Sequence, residues 1–527
     1  MEKRRLPIGI QDFTKLREEN CIYVDKTERI YSLVHEGSGT YFLSRPRRFG
    51  KSLLISTLKA YFEGKKDLFQ GLAIETLEEK SEHPWQQYVV IRVDFCTDTF
   101  AIPGNLEKRL DSFLADLEKD YGNDKETATF GTRFEHIIRE AYKRSGRRVV
   151  VLIDEYDKPL LDAAANTELS ENNREILRGF YSVLKGNDEY LRFVFFTGVT
   201  KFSKISIFSD LNQPKDISMS EEYATLCGIT EAELERDFQP EIEAMTKSLQ
   251  LSRQACIADL RRMYDGYCFY KNAERVYNPF SLLNALDDRD FNTYWFTTGT
   301  PTFLVKKLAQ SNYDFRNFTN GVTATGSELS DYRLDNPDPV PLFYQSGYLT
   351  LSEWNERYEE YTLRYPNDEV KYAFIKSLAP TLYNIPASAP ELDISSFSKD
   401  IDSGNLEGVL TRFKALFARL PYTNTPSDKP LEYNFQNVIY IVFILLGRWS
   451  EVEMHTALGR ADCILKTENA IYVFEFKRDA SADDALAQIQ EKKYADAFAA
   501  DNRPVVCVGV NFSSAERNIT EWKTSEK

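Results

Sequence analysis

A basic segment near the N-terminus has the residue types of a phosphate-binding loop. Gly50, Lys51 and Ser52 stand between a short apolar run and a stretch with helical spacing of apolar residues. In such loops backbone N–H groups at a helix N-terminus hold phosphate oxygens, the lysine reaches the terminal phosphates, and the hydroxyl binds Mg²⁺. Arg45 occupies the position of the usual first glycine, so on this segment alone a basic turn with a chance Gly-Lys-Ser is the alternative. The predicted phosphate-binding residues are Arg45, Arg47, Arg48, Gly50, Lys51 and Ser52.

Two adjacent acids follow a second apolar run about a hundred residues later. Asp154 and Glu155 end the β-branched segment 149–153, which reads as a strand buried on both faces. An aspartate at this edge holds the Mg²⁺ shell in nucleotide hydrolases, and a following glutamate polarises the attacking water. The combination with Gly-Lys-Ser upstream favours nucleotide binding over a solvated acidic turn. Thr197, at the end of another strand, is predicted to sense the terminal phosphate, although such hydroxyls are commonly plain caps.

The C-terminal hundred residues contain a second set of chemically suited side chains. Glu475 and Lys477 alternate along one strand and so share a face, while Asp462 precedes a neighbouring antiparallel strand across a turn at 468–469. Two carboxylates and a lysine together can hold Mg²⁺ and orient water for attack on a phosphodiester. Gln488 on a following helix and Glu432 on a preceding one are further candidates. A cross-strand salt bridge is the alternative for Glu-x-Lys alone.

The elements that position these residues alternate between strands and helices. Apolar runs at 40–43, 88–95, 149–153 and 191–196 predict a doubly wound parallel sheet. We expect an α/β core over 1–215, a helical lid and mixed middle region over 216–422, and a compact α/β domain over 431–527. The segment 423–430 is the predicted linker. Helices are expected to open at Ser220 and Thr230, and a strand within 341–351.

Composition bounds the class of protein. The chain has 527 residues, 42% hydrophobic, and a net charge of −15, which argues against nonspecific coating of nucleic acid. Seven scattered cysteines favour reduced thiols and a cytoplasmic location. The most apolar segment, 438–447, is far shorter than the ~20 residues that span a bilayer, so no membrane partner is expected. Residues 430–527 contain 11 Lys and Arg against 15 Asp and Glu, whereas a duplex-binding nuclease usually has a basic face.

The chain resembles the predicted AAA-ATPase-like family of bacterial P-loop proteins. The similar segments are PIGIQDF (7–13), YVDKTERI (23–30), SRPRRFGKSLL (44–54), VLIDEYDKPL (151–160), FTGVTKFSKISIFSDLN (196–212), YDGYCF (264–269) and VYNPFSLLNAL (276–286). In that family the arginine-rich loop without its first glycine is the usual form. Residues 459–498 resemble the PD-(D/E)XK nuclease superfamily, a restriction-endonuclease-like fold.

The resemblance implies specific roles by position. Lys51 and Ser52 would bind the phosphates of ATP and Mg²⁺, Asp154 the Mg²⁺ shell, and Glu155 the water. Asp462, Glu475 and Lys477 would form the nuclease-type core with Mg²⁺ or Mn²⁺, with Gln488 from the family's glutamine helix. Of the candidate catalytic residues, Glu432 has the least support.

Three hypotheses about function follow. The first is an Mg²⁺-dependent ATPase that switches a metal-dependent nuclease-fold domain acting on DNA. The second is a nucleotide-controlled switch or scaffold whose tail only binds nucleic acid or a protein partner, which the tail charge of −4 favours. In the third, both sites persist structurally after turnover is lost. A homo-oligomer is compatible with the sequence, with Arg174 and Arg178 as candidate arginine fingers.

Overall fold

The computed structural model describes twelve stretches of the chain. The chain divides into two compact units. The first comprises Met1–Gly299 and Asn317–Glu369, and the second comprises Thr300–Arg316 and Val370–Lys527. The predicted linker 423–430 lies outside the described residues, and the domain boundaries at 215, 422 and 431 stay a prediction. The described residues are 4–35, 39–123, 129–201, 214–296, 304–305, 308, 313–330, 338–383, 393–419, 431–447, 451–454 and 462–526.

A five-stranded parallel sheet forms the core of the first unit. Its strand order is β2-β3-β4-β1-β5, and every neighbouring pair is parallel. This confirms the predicted α/β fold with a parallel sheet. The strands are β1 (Thr40–Ser44), β2 (Val90–Asp94), β3 (Val149–Asp154), β4 (Leu191–Gly198) and β5 (Lys215–Asp216).

Burial explains why these segments form central strands. All six residues of β3 are buried, as expected for a parallel strand whose two faces are both covered. The register pairs Asp94 of β2 with Asp154 of β3, and Leu43 of β1 with Thr197 of β4. Because parallel strands end at one edge, the acids and the hydroxyl gather there. The helices up to the last of these strands are α1 (Phe13–Glu18), α2 (Thr27–His35), α3 (Lys51–Phe62), α4 (Ala73–Glu78), α5 (Asn105–Tyr121), α6 (Phe130–Ser145), α7 (Lys158–Asp162) and α8 (Thr167–Gly186).

A helical region follows the sheet, as expected, but it begins later. Residues 220–228 form turns, so the predicted helix at Ser220 is wrong. The backbone bonds of this stretch join residues three apart, as in successive turns, and the carbonyl of Tyr223 accepts from the Arg45 guanidinium as well as from the Leu226 N–H. The prediction at Thr230 is confirmed: its hydroxyl accepts from the Glu233 N–H in a capping box. The helices are α9 (Glu231–Asp237), α10 (Gln239–Leu249), α11 (Arg253–Tyr264) and α12 (Pro279–Asp288).

The remainder of the first unit contains a small antiparallel sheet of order β6-β8-β7. The expected strand within 341–351 begins only at Thr350, because Pro341 and the residues after it form a helix with proline in its first turn. The strands are β6 (Val322–Thr325), β7 (Thr350–Asn355) and β8 (Glu360–Arg364), and the helices are α13 (Asn317–Asn320), α14 (Gly326–Ser330) and α15 (Val340–Gln345). The next helix, α16, spans Asp368–Tyr383.

The second unit is built on a five-stranded mixed sheet of order β13-β12-β11-β10-β9. Its strands β10 and β11 pair antiparallel across the predicted 468–469 turn, while β11 and β12 run parallel. This agrees with the predicted α/β tail domain. The strands are β9 (Glu451–Met454), β10 (Cys463–Lys466), β11 (Ile471–Arg478), β12 (Val505–Ser513) and β13 (Asn518–Glu526), and the helices are α17 (Ile394–Asp402), α18 (Leu406–Ala418), α19 (Leu431–Leu446) and α20 (Ala482–Glu491).

Two further properties concern the whole described chain. Among the residues described, no helix combines the length and apolar character needed to cross a bilayer. All seven cysteines belong to the described residues, and each is a free thiol.

Candidate functional sites

The phosphate loop connects the end of β1 to the first turn of α3. Gly50 stands at the helix N-cap with φ 89°, a left-handed conformation that glycine adopts at little cost. No side chain caps this helix, so the first N–H groups of α3 keep their capacity to bind an anion. Ser52 is the second residue of α3 and is partly buried. The loop therefore has the backbone geometry that the sequence predicted.

Lys51 is buried inside the loop. Its Nζ donates to the carbonyl oxygens of Arg45 at 2.9 Å and of Pro46 at 3.0 Å. Burial lowers the pKa of Lys51, whereas the carboxylates of Glu155 and Asp154 act to raise it. An ammonium has three donors, so one remains after the two carbonyl bonds. The lysine thus lies between the helix N-terminus and the acids at the end of β3.

Arg45 is the most buried of the three loop arginines, with 1% of its surface exposed. Its guanidinium donates to the carbonyl oxygens of Ser44, Ser218 and Tyr223 at 2.8 to 3.0 Å and lies 3.9 Å from the Phe269 ring centroid. Its backbone N–H donates to the Gly198 carbonyl. These contacts give Arg45 a structural role, so its predicted binding to phosphate has no support from its geometry.

The other two loop arginines are exposed. The Arg48 guanidinium lies 4.9 Å from the Phe280 ring centroid, and its φ is 66°. The Arg47 carbonyl oxygen accepts from the indole Nε1 of Trp295 at 3.0 Å. Between them and Gly50, Phe49 is buried. The Phe49 ring makes edge contacts with two aromatic rings of the 267–269 segment, with centroids 4.7 and 5.5 Å away. Tertiary contacts therefore hold the loop at several points.

Asp154 ends β3 and is fully buried. Its Oδ1 accepts from the Thr197 hydroxyl at 2.8 Å, and its Oδ2 lies 3.3 Å from an Arg92 guanidinium nitrogen. The same arginine is 2.9 Å from Asp94. One ligand atom each of Asp94, Cys96 and Asp154 lies within 4.8 Å of the others. The structure thus brings the predicted Asp154 and Thr197 together and adds a second carboxylate beside them.

Glu155 and Asp157 form the turn that follows β3. Glu155 has φ 53°, an uncommon conformation for glutamate that often marks a functional site. Burial raises the pKa of Glu155, while Lys51 acts to lower it. Asp157 is buried and accepts from the Thr200 N–H at 2.6 Å and its hydroxyl at 2.7 Å, and from the Val199 N–H at 3.0 Å. This carboxylate ties the end of β3 to the end of β4.

An apolar cavity of about 100 Å³ opens beside the loop. Its walls come from the segment before α2, from the start of α3, and from the helical region after the sheet. Val24, Gly50, Leu53, Ile229 and Leu283 represent these three walls. The cavity therefore adjoins the helix N-terminus that is suited to phosphate.

The second candidate site lies on β11 of the second unit. Glu475 is 2% exposed, and its Oε1 accepts from Lys477 Nζ at 3.3 Å and from Gln488 Nε2. Asp462 Oδ2 accepts from the Phe476 N–H at 2.9 Å, which places this carboxylate beside Glu475. Burial and the Asp462 charge raise the pKa of Glu475 to about 7. Four predicted residues, Asp462, Glu475, Lys477 and Gln488, are thus brought together.

Close packing of α20 places Gln488 at this site. Gly509 of β12 pairs with Glu475, and a Cβ there would come within 2.5 Å of the Ala482 carbonyl oxygen. Ser481 begins α20 with a capping box. Glu432 lies within α19, but its side chain is outside the described residues, as is the segment 455–461 with the Gly-Arg of the sequence motif.

Sequence reasoning missed four residues that support the two sites. Arg92 and Asp94 lie on a strand that was predicted, and their alternation with period two was the available signal. Asp157 follows the predicted acids by two residues and had only its proximity as a signal. Gly509 had no signal, because its need for a small side chain arises from the approach of α20.

Comparison with known proteins agrees with both units. Residues 7–208 match the family model described as predicted AAA-ATPase, and residues 431–522 match that of the PD-(D/E)XK nuclease superfamily. The chain is also 37% identical over 529 residues to an uncharacterized protein in the vnfD 5′ region of Azotobacter chroococcum mcd 1, covering 98% of each chain. The chain therefore belongs to the predicted AAA-ATPase-like family and includes a C-terminal domain of the PD-(D/E)XK nuclease superfamily.

Proposed function

We propose that the chain is an Mg²⁺-dependent ATPase that controls a metal-dependent nuclease acting on DNA. The observation that carries the first half is the placement of the buried Lys51 between the uncapped start of α3 and the acids Asp154 and Glu155. A cation, free N–H groups and two carboxylates within one strand edge are the parts that phosphoryl transfer needs.

The loop, the cavity and the strand edge each bind a different part of the nucleotide. The first N–H groups of α3 and Lys51 hold the phosphates, with Gly50 allowing the sharp turn into the helix. The apolar cavity beside Gly50 receives the base, since such pockets bury flat aromatic ligands between apolar walls. Arg47 and Arg48 add positive charge at the exposed side of the loop.

The residues present fit Mg²⁺, which prefers oxygen ligands. Asp154 and the Ser52 hydroxyl would hold it, and the ion would neutralise charge on the phosphate oxygens. Thr197 fixes the Asp154 carboxylate through a 2.8 Å bond. Glu155 accepts a hydrogen bond from the attacking water, and its raised pKa brings it closer to the working range of a general base.

The second half of the proposal rests on an unpaired oxygen. Glu475 Oε2 is buried and has no hydrogen-bond partner among the described residues, although its other oxygen has two. A buried carboxylate oxygen in this state is costly unless a cation completes it. With Asp462 adjacent, the pair fits Mg²⁺ or Mn²⁺ held at a phosphodiester, and Lys477 orients the water or stabilises the developing charge.

The ATPase half is tested by nucleotide binding. We expect Lys51→Ala to abolish binding of a fluorescent ATP analogue to the full-length chain, and Glu155→Gln to retain binding while hydrolysis is lost. An equal affinity of wild type and Lys51→Ala would contradict the proposal. Arg357→Ala, an exposed arginine of the β7–β8 turn, controls for the lost charge.

The nuclease half is tested by metal uptake and cleavage. Wild type should bind Mn²⁺ in calorimetry and cut DNA. Cleavage rates measured with and without ATP reveal whether the nucleotide controls the nuclease. Asp462→Asn should lose both metal binding and cleavage. Asp483→Asn is the matched control, because this carboxylate is exposed on α20 and pairs with Lys523.

A second function is favoured by the net charge of −4 over residues 430–527. A negative tail repels a duplex backbone, so the domain could bind a protein partner as part of a nucleotide-controlled switch. A folded tail that takes up no Mn²⁺ and cleaves no nucleic acid under any nucleotide condition would favour this alternative.

A further inference from the structure

The three arginines of the phosphate loop differ in what occupies their guanidinium groups. The Arg45 guanidinium donates hydrogen bonds to backbone carbonyls, as described above. The Arg48 guanidinium lies over the Phe280 ring. The side chain of Arg47 is exposed and makes no hydrogen bond or ion pair with any residue in the described ranges. Arg47 therefore offers a cation that the fold itself does not use.

The position of Arg47 is fixed by its backbone rather than by its side chain. Its carbonyl oxygen accepts the Trp295 indole N–H, and the Trp295 backbone N–H donates to Glu369 at 2.7 Å. Trp295 is 6% exposed and Glu369 is 1% exposed, so this support is a buried one. Arg47 also lies three positions before Gly50, in the turn that leads into α3, so its exposed side chain leaves the backbone of the phosphate loop itself.

The negative charge on the transferred phosphoryl group needs a positively charged side chain in addition to Lys51. In the hydrolysis step, the water oxygen forms a bond to the γ-phosphorus while the bond from that phosphorus to the β–γ bridging oxygen breaks. The water proton passes through Glu155 to the products, ADP and phosphate. Lys51 already spends two of its three donors on loop carbonyls. A guanidinium can donate to two phosphate oxygens at once, and phosphoryl transferases use such an arginine to stabilise the transition state.

We propose that Arg47 is a catalytic arginine that acts in cis, donating to the γ-phosphate of the nucleotide bound by its own loop. This inference rests on the proposed ATPase function. Arg47 stays protonated throughout and forms no covalent bond. The candidates for a residue acting in trans are weaker, because Arg174 pairs with Glu171 at 2.8 Å and Arg178 lies 3.7 Å from Glu175 on their own helix.

Hydrolysis and affinity together test the role. Arg47→Ala in the full-length chain should lower kcat about 10³-fold or more, the range found for arginine fingers. Its calorimetric affinity for a non-hydrolysable ATP analogue should change less than about tenfold, while ADP with aluminium fluoride, which mimics the transition state, should lose at least about 10²-fold. Arg47→Lys should recover only part of the rate, since an ammonium cannot form the bidentate contact. Arg357→Ala, with the same charge change, should match wild type in every measurement.

Mixing experiments distinguish action in cis from action in trans. Arg47→Ala subunits retain Lys51, and Lys51→Ala subunits retain Arg47. If Arg47 acts on its own loop, the mixture stays as inactive as the separate variants. Recovery of hydrolysis in the mixture would overturn action in cis.

Other results overturn the inference, and they differ in whether the proposed ATPase survives. These are a kcat of Arg47→Ala within about tenfold of wild type, or an equal loss of affinity for the two nucleotide ligands, which would indicate ground-state binding only. Wild type that binds ATP without hydrolysing it would overturn both the inference and the ATPase activity, while leaving nucleotide binding intact. Wild type that binds no nucleotide would refute the proposed function itself, and the inference with it.

Discussion

Replacing Glu475 with glutamine should stabilise the second unit in the absence of metal and remove its response to metal. Glu475 is 2% exposed, and burial raises its pKa from the ordinary 4.5 to about 7. Because the folded pKa is the higher one, the stabilising effect of protonation is complete below pH 4.5 and is lost as the pH rises through about 7. The difference corresponds to about 3 kcal/mol at pH 8.

Glutamine keeps the shape and an acceptor oxygen but never ionises. At pH 8 in EDTA, Glu475→Gln should therefore be more stable than wild type by at most about 3 kcal/mol, reduced by whatever the Lys477 ion pair contributes. With Mn²⁺ at 100 times its Kd, wild type should gain about 2.7 kcal/mol and the variant little. Without metal the variant should thus be the more stable protein, whereas wild type should gain more stability from added metal.

The assay is hydrogen exchange, followed by mass spectrometry on peptides from β10 to β12 in the full-length chain. The two proteins are compared at one pH, in EDTA and in Mn²⁺. Asp483→Asn, which removes an exposed carboxylate, should stay within about 0.5 kcal/mol of wild type in both conditions. Lower protection of Glu475→Gln in EDTA, or an equal gain of both proteins with Mn²⁺, would refute the reasoning.

Three further predictions concern the first unit. Burial raises the pKa of Glu369 to about 7. The free energy of unfolding of wild type should therefore fall by about 3 kcal/mol between pH 4.5 and pH 7, whereas that of Glu369→Gln should not. Thermal unfolding across this pH range measures the difference, and parallel stability curves of the two proteins would contradict the prediction. Phe49→Ala should lower the free energy of unfolding by about 3–5 kcal/mol and weaken ATP binding, because two ring contacts that support the loop are lost. Denaturant unfolding measures the first effect, and an unchanged unfolding midpoint would disprove the support by Phe49. Gly198→Ala should impair hydrolysis, since a Cβ would come within 2.5 Å of Asp157 Oδ1. Gly179→Ala, whose Cβ meets nothing within 4 Å, is its control, and equal rates in the two variants would argue against a role for Asp157.

The fold was predictable because its signals are local. The apolar β-branched run of β3 and the helical spacing of α3 each determine an element without reference to distant residues. The same holds for the pairing of β10 with β11 across a short turn, and for Glu475 and Lys477 on one face of a strand. These features depend on periods of two and 3.6 residues, which are visible in the sequence.

What could not be predicted depends on contacts between distant segments. The turns at 220–228 are held in part by Arg45, whose guanidinium donates to the Tyr223 carbonyl across 178 positions of sequence. The pairing of Asp94 with Asp154 requires the strand order of the sheet. Gly509 is required by the approach of α20. In each case the cause lies outside the segment in which the effect appears.

The contact between Trp295 and the Arg47 carbonyl has a consequence for synthesis of the chain on the ribosome. The two residues are separated by 248 positions. At about 5–20 residues per second, Trp295 follows Arg47 by roughly 12 to 50 s. Until then the loop lacks the indole that holds it, and the candidate nucleotide site of the nascent chain is incomplete. We therefore expect nucleotide to bind only once the segment that follows the sheet has emerged and folded, when most of the first unit exists.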